Sequence, residues 1–240
     1  MPPEEGPVIT TTTRRPPRIS LATIAVVLAM SGGVLTACGS NDDQRASSTS
    51  ALEVHAAAST TKQSAQTALY SAMRSLWAQH MEWTYATVVA FASDSPALEP
   101  TINRLLRNQT DIGNAVATYY GTGAGKQLTD LLTTHIKDAV PVLTAARAGD
   151  TDALNKAVEQ WYANAQDIAD FLASANPHWK QDDMRQMMRA HITQTIGYAS
   201  DVLGGKYAAA VQKYDEAEAH MTAMADMLSQ GLIKQFPKKF

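Results

Sequence analysis

The chain has 240 residues, 45% hydrophobic but only 7% aromatic, with 20 basic and 23 acidic side chains and a formal net charge of −3. That balance excludes a strongly basic nucleic-acid binder and a disordered polyampholyte, while the length suffices for a well-buried core. A single cysteine excludes an intrachain disulfide framework and any cysteine-only metal cluster.

Residues 1–18 carry five of the ten prolines and a basic group, Arg14, Arg15 and Arg18. The run from Ile19 to Val34 is apolar and ends in Ser31, Gly32 and Gly33, followed by Leu35-Thr36-Ala37-Cys38-Gly39. A basic start, an apolar middle and small residues at a cleavage point make a secretory signal. The run is short for a spanning helix. The Leu-Thr-Ala-Cys string resembles the bacterial lipobox, whose cysteine is acylated and becomes the mature N-terminus. The resemblance implies a signal peptide over 1–37, lipidation at Cys38 and a flexible polar tether over 38–59. The implied location is the extracytoplasmic face of the cell membrane, held by lipid rather than by charge. The competing reading is an uncleaved anchor with an incidental cysteine. Arg14-Arg15 hints at twin-arginine export, but two prolines follow it where apolar residues belong.

From about Thr60 the chain reads as helix after helix, and no stretch alternates with period two long enough for a strand. Six segments are expected, at 60–92, 97–119, 126–148, 151–174, 181–203 and 206–234. Ser95-Pro96, Gly121 to Gly125, Gly149-Asp150-Thr151, Asn176-Pro177 and Gly204-Gly205 punctuate them. Pro141 should kink the third. Short connections favour antiparallel neighbours, so the fold class is all-α, an up-and-down bundle of about six helices forming one domain over 60–240. In the sixth segment the apolar stripe is read through Tyr207, Val211, Tyr214 and Met221.

A faint internal repeat runs through the bundle. Asn108-x-x-Asp111-Ile112 precedes His135-Ile136, and Asn164-x-x-Asp167-Ile168 precedes His191-Ile192, at a constant offset of 56 residues. Leu128, Leu131 and Leu132 fall on Met184, Met187 and Met188. The pattern suggests a duplicated helix pair.

Buried histidine needs a partner, and three histidines sit on apolar stripes: His80 near Leu76 and Trp83, His135 near Leu131, Leu132 and Ala139, and His191 near Met187, Met188 and Thr195. The sixth stripe passes through Glu218, with His220 to one side. Imidazoles on three helices and a carboxylate on a fourth have the composition of a metal site in a bundle. Asn108, Asp111, Asn164 and Asp167 would orient the liganding rings or supply oxygen ligands. Zinc, copper or manganese are the candidate ions, copper because methionines accompany His191 and His220. The plainer reading is that each histidine bonds an Asp, Asn or carbonyl in a polar layer that sets helix register. The bundle would then be a module binding a non-metal ligand or another protein, and no particular partner is indicated. No nucleophile elbow or His-Glu-x-x-His motif supports an enzyme.

Several strings together resemble an uncharacterised family of small, exported, helical bacterial proteins. They are His80-Met81-Glu82-Trp83-Thr84, Leu105-Leu106-Arg107-Asn108-Gln109 with Asp111-Ile112-Gly113, and Tyr119-Tyr120-Gly121. Trp161-Tyr162-Ala163-Asn164 and the ending Gln235 to Phe240 complete the set. The resemblance covers roughly 65–240 and implies an all-helical fold. Some relatives carry transferase or kinase names, acetylglutamate kinase among them. The residues do not support that chemistry here, because Gly121-Thr-Gly-Ala-Gly125-Lys126 lacks the first Gly and the final Ser/Thr of a phosphate loop.

Overall fold

The computed structural model describes residues 46–240, with side chains from residue 62 onward. The signal segment, Cys38 and the first part of the tether lie outside the described residues. Within them the chain forms six helices: α1 (Ala46–Ala92), α2 (Leu98–Tyr120), α3 (Thr122–Ala148), α4 (Thr151–Ala175), α5 (Gln181–Leu203) and α6 (Tyr207–Gln235). Sequential helices pack side by side through α2–α3–α4–α5–α6, and α3 also touches α5. The Arg74–Asp226 pair, two hydrogen bonds of 2.6 Å, joins α1 to α6. The expected up-and-down bundle is therefore the architecture. No described helix is long and apolar enough to cross a membrane.

Boundaries fall where the local chemistry puts them. Asp150 caps α4 by accepting the Ala153 amide at 2.9 Å. Gly149, at φ 69°, closes α3 in the left-handed conformation that costs glycine nothing. Ser95 Oγ accepts the Ala97 amide at 3.2 Å just ahead of α2.

Two expectations need correction. First, α1 begins at Ala46 rather than near Thr60, so residues 46–59 are helical, not a flexible tether. Its Ala, Ser, Glu and Val contain no Gly or Pro to stop a helix. Second, the break between α2 and α3 is Gly121 alone, and Gly123 and Gly125 lie inside α3. Gly125 is needed for packing rather than for a turn. A Cβ on it would meet Ala117 Cβ and the Gly113 carbonyl, each at 2.6 Å, so the two backbones cross at close range. Pro141, where a kink is expected, lies on the exposed side of α3, which continues to Ala148.

Candidate metal centre

The helices α1, α3 and α5 each bring one histidine to a common point inside the bundle. His80, His135 and His191 are all buried, and a ligand nitrogen from each lies within 4.8 Å of the others. The ring centroids are 5.5 Å apart for His80–His191, 5.6 Å for His135–His191 and 6.4 Å for His80–His135. Each histidine is there because its helix face is apolar on both sides of it. One turn before it stand Trp77, Leu132 and Met188, and two turns before it Met73, Leu128 and Met184, all buried.

Burial controls the charge of the cluster. Desolvation, with His135 nearby, pushes His80 down to about 3. Desolvation takes His135 to about 4, against a small opposing effect from Asn164. His191 falls well below its ordinary value through burial and then through His80, His135 and His220. All three are neutral imidazoles at neutral pH, the form that offers a lone pair to a cation.

Hydrogen bonds set the tautomers unequally. Asn164 Nδ2 donates to the Leu131 carbonyl at 3.2 Å, which turns its Oδ1 toward His135 Nδ1 at 3.0 Å. His135 Nδ1–H therefore donates, and Nε2 keeps the free lone pair. Beside His80 the neighbour is Gln109, whose Nε2 donates to the Leu105 carbonyl at 2.7 Å and stands 3.4 Å from His80 Nδ1. His191 Nδ1 is buried with no hydrogen-bond partner.

The same design appears three times. Asn108 Nδ2 donates to the Leu76 carbonyl at 3.0 Å, Asn164 Nδ2 to Leu131, and His220 Nε2–H to Met187 at 3.0 Å. Each acceptor is the residue four before the histidine of its hairpin. The histidines repeat at 55 and 56 residues, and the residues on the second helix of each hairpin repeat at 56 and 56. The pairs Asn164/His135 and His220/His191 are 29 apart, whereas Asn108 is 28 from His80. That one-residue difference moves Asn108 off its histidine and brings up Gln109 instead.

The remaining candidates separate clearly. Glu218 is exposed, because in the first half of α6 the buried face runs through Ala210 and Ala217, one position before Val211 and Glu218; from Met221 onward the buried face follows the expected stripe. Tyr207 and Val211 are likewise exposed, at 62% and 51%. His220 is half-buried and holds a carbonyl rather than joining the cluster. Asn164 orients a histidine as expected, while Asn108 braces α1 and accepts from Gln109 Nε2 at 3.3 Å. Asp167 is exposed and Asp111 half-buried, and neither hydrogen-bonds a histidine. Met184 and Met188 are core side chains beneath His191, filling space at helical spacing. Gln109 and the third repeat were not anticipated. The offset of 55 between Met73-Trp77-His80-Met81 and Leu128-Leu132-His135-Ile136 was their signal, hidden by the different side chains and the one-residue shift.

One apolar cavity adjoins the cluster, and a second shares part of the first one's wall. The first, of about 70 Å³, includes all three histidines in its wall. The second, a larger cleft of about 320 Å³, lies between α3, α4 and α5. Both are lined by Thr84, Val88, Ala139, Leu143, Trp161 and Thr195. No protein-family model, curated protein or solved structure matches this chain.

Proposed function

We propose that the bundle binds one transition-metal ion through His80, His135 and His191, with a fourth position left for an outside ligand. The observation that carries this reading is the convergence of three neutral, buried imidazoles from three helices within 4.8 Å. Bonds of about 2.0–2.1 Å to a tetrahedral ion require nitrogens about 3.3 Å apart. Side-chain rotations closing the cluster by about 1.5 Å at most reach that spacing. An all-imidazole set suits zinc or copper better than manganese, which favours oxygen. The ion would act as a Lewis acid on whatever occupies its open position.

Metal-free purification followed by titration with Zn²⁺ tests the proposal. One ion per chain, lost in His135→Ala and in His191→Ala, is expected. Absence of a stoichiometric site in the wild type would sink it.

A second reading rests on Gln109. If its Nε2–H donates to His80 Nδ1, the His80 proton sits on Nε2, which is then a donor into the cluster rather than a ligand. The three rings then form a hydrogen-bonded layer that fixes helix register, and the cavities beside it belong to a ligand-binding module without metal. Under this reading Zn²⁺ leaves the melting temperature of the protein unchanged. Under the first, Zn²⁺ raises it, because an ion that binds only the folded state stabilises that state.

The location follows from residues 14–39 alone. We propose that the protein is exported and acylated at Cys38, so that the bundle stands at the outer face of the cell membrane. Cys38→Ala should abolish fatty-acid incorporation, and continued acylation of that variant would refute the assignment.

A further inference from the structure

We infer that the open position of the centre takes the carboxylate of a small monocarboxylic acid whose hydrocarbon tail lies in the apolar cleft. This rests on the metal reading above and goes further by naming the ligand class. Charge is the first argument. A divalent ion held by three neutral imidazoles keeps its whole double charge, and an isolated charge in an apolar interior is costly. Among the described residues, no Asp or Glu lines either cavity and no carboxylate belongs to the histidine cluster. The described residues thus leave the balancing anion to an outside ligand.

Shape is the second argument. The cleft of about 320 Å³ is within the size range of small-molecule sites. It shares Ala139, Leu143, Trp161 and Thr195 with the smaller cavity that touches the histidines. Its wall extends along α5 from Thr195, one turn past His191, to Leu203, about 18 Å along the helix from the histidine. A ligand with its head on the ion therefore has apolar wall for its tail. The polar side chains in that wall are Thr84, Asn155, Tyr162, Thr195 and Ser200, none of them charged, so the cleft offers a highly charged ligand no ion pair.

The test uses full-length protein loaded with Co²⁺, whose visible spectrum reports the coordination of the ion. Hexanoate, acetate and 1-hexanol are titrated in turn. Each methylene buried contributes about a factor of four in affinity. With four more methylenes, hexanoate should therefore perturb the cobalt bands at about a 250-fold lower concentration than acetate, and hexanol should leave them unchanged. Ala139→Leu at the neck and Val158→Phe in the cleft should each remove most of the hexanoate advantage while cobalt still binds. Equal affinities for hexanoate and acetate would overturn the tail site. Equal hexanoate binding with and without cobalt would overturn the carboxylate–metal contact. If cobalt itself fails to bind, the metal reading falls and takes this inference with it. That result is distinct from cobalt binding without a hexanoate response, which removes the inference alone.

Discussion

The histidine layer divides the bundle into two unequal halves. On the side of Trp77, Leu132 and Met188 the interior is closed, and the void among Met73, Leu128, Ile168, Leu172 and Leu232 is only about 10 Å³. That end is sealed by an aromatic group. Tyr120 packs on Phe236 at 5.3 Å and on Trp179 at 5.9 Å, and its hydroxyl donates to Gln235 Oε1 at 2.6 Å. On the other side the interior holds cavities of about 70 and 320 Å³. The difference lies in side-chain size at equivalent positions. One turn before the histidines stand Trp, Leu and Met. One turn after them stand Thr84, Ala139 and Thr195, which are too small to meet across the axis. Between α1, α5 and α6 the hollow half is filled by Tyr85, Tyr198 and Tyr214, with centroids 4.8–5.9 Å apart. Repeat symmetry thus sets the backbone, and local side-chain volume decides which half has room for a ligand.

The layer between the halves should produce the largest effect, through acid. The three histidines titrate near 6.5 when unfolded and far lower when folded. Between those values the unfolded chain binds more protons, so stability rises with pH and is lost as pH falls below about 6.5. Three such groups amount to about 4 kcal/mol between pH 7.5 and 5.5 in the metal-free protein. Urea denaturation across that range measures it, and His135→Leu should remove about a third of the dependence. A flat profile would mean that the layer is open to water.

Truncation should sharpen the contrast between the halves. Leu132→Ala, in the closed half, is expected to cost about 3–4 kcal/mol, because the surroundings cannot collapse. Leu143→Ala already borders a cavity and should cost about 2 kcal/mol. Equal costs, measured by the same denaturation, would show that the hollow half closes up in solution.

Removing the brace of the second hairpin comes next. Asn164→Ala leaves the buried His135 Nδ1–H without its acceptor, a loss of about 1–3 kcal/mol. The imidazole tautomer, read from ¹⁵N chemical shifts of His135, should become mixed in that variant.

Added volume gives the smallest and most discriminating effect. Gly125→Ala forces apart the α2–α3 crossing and should cost about 1–3 kcal/mol. Ala199→Val projects into the cleft and should change stability by less than about 1 kcal/mol. Thermal melts of the two variants compare them directly, and a large penalty at residue 199 would contradict a hollow half.

Much of this architecture can be read from residue order. Helix period, Gly149-Asp150 and Gly204-Gly205 place five of the helices within a few residues, because capping and backbone strain are local. The inward histidines are equally visible, because an apolar face on both sides of His80, His135 and His191 leaves them no route to solvent. Other features depend on neighbours distant in sequence. Glu218 looked inward on a stripe drawn through Tyr207 and Val211, yet packing against α1 and α5 selects the adjacent face of α6. Whether Asn108 or Gln109 meets His80 depends on a one-residue difference between hairpins. The cavity exists only because Thr84, Ala139 and Thr195, from three helices, fall at one level. Local chemistry thus determined the helices and the burial of the histidines. Their meeting point, tautomers and adjoining space were decided by packing, because distances between helices arise only when all six close on one another.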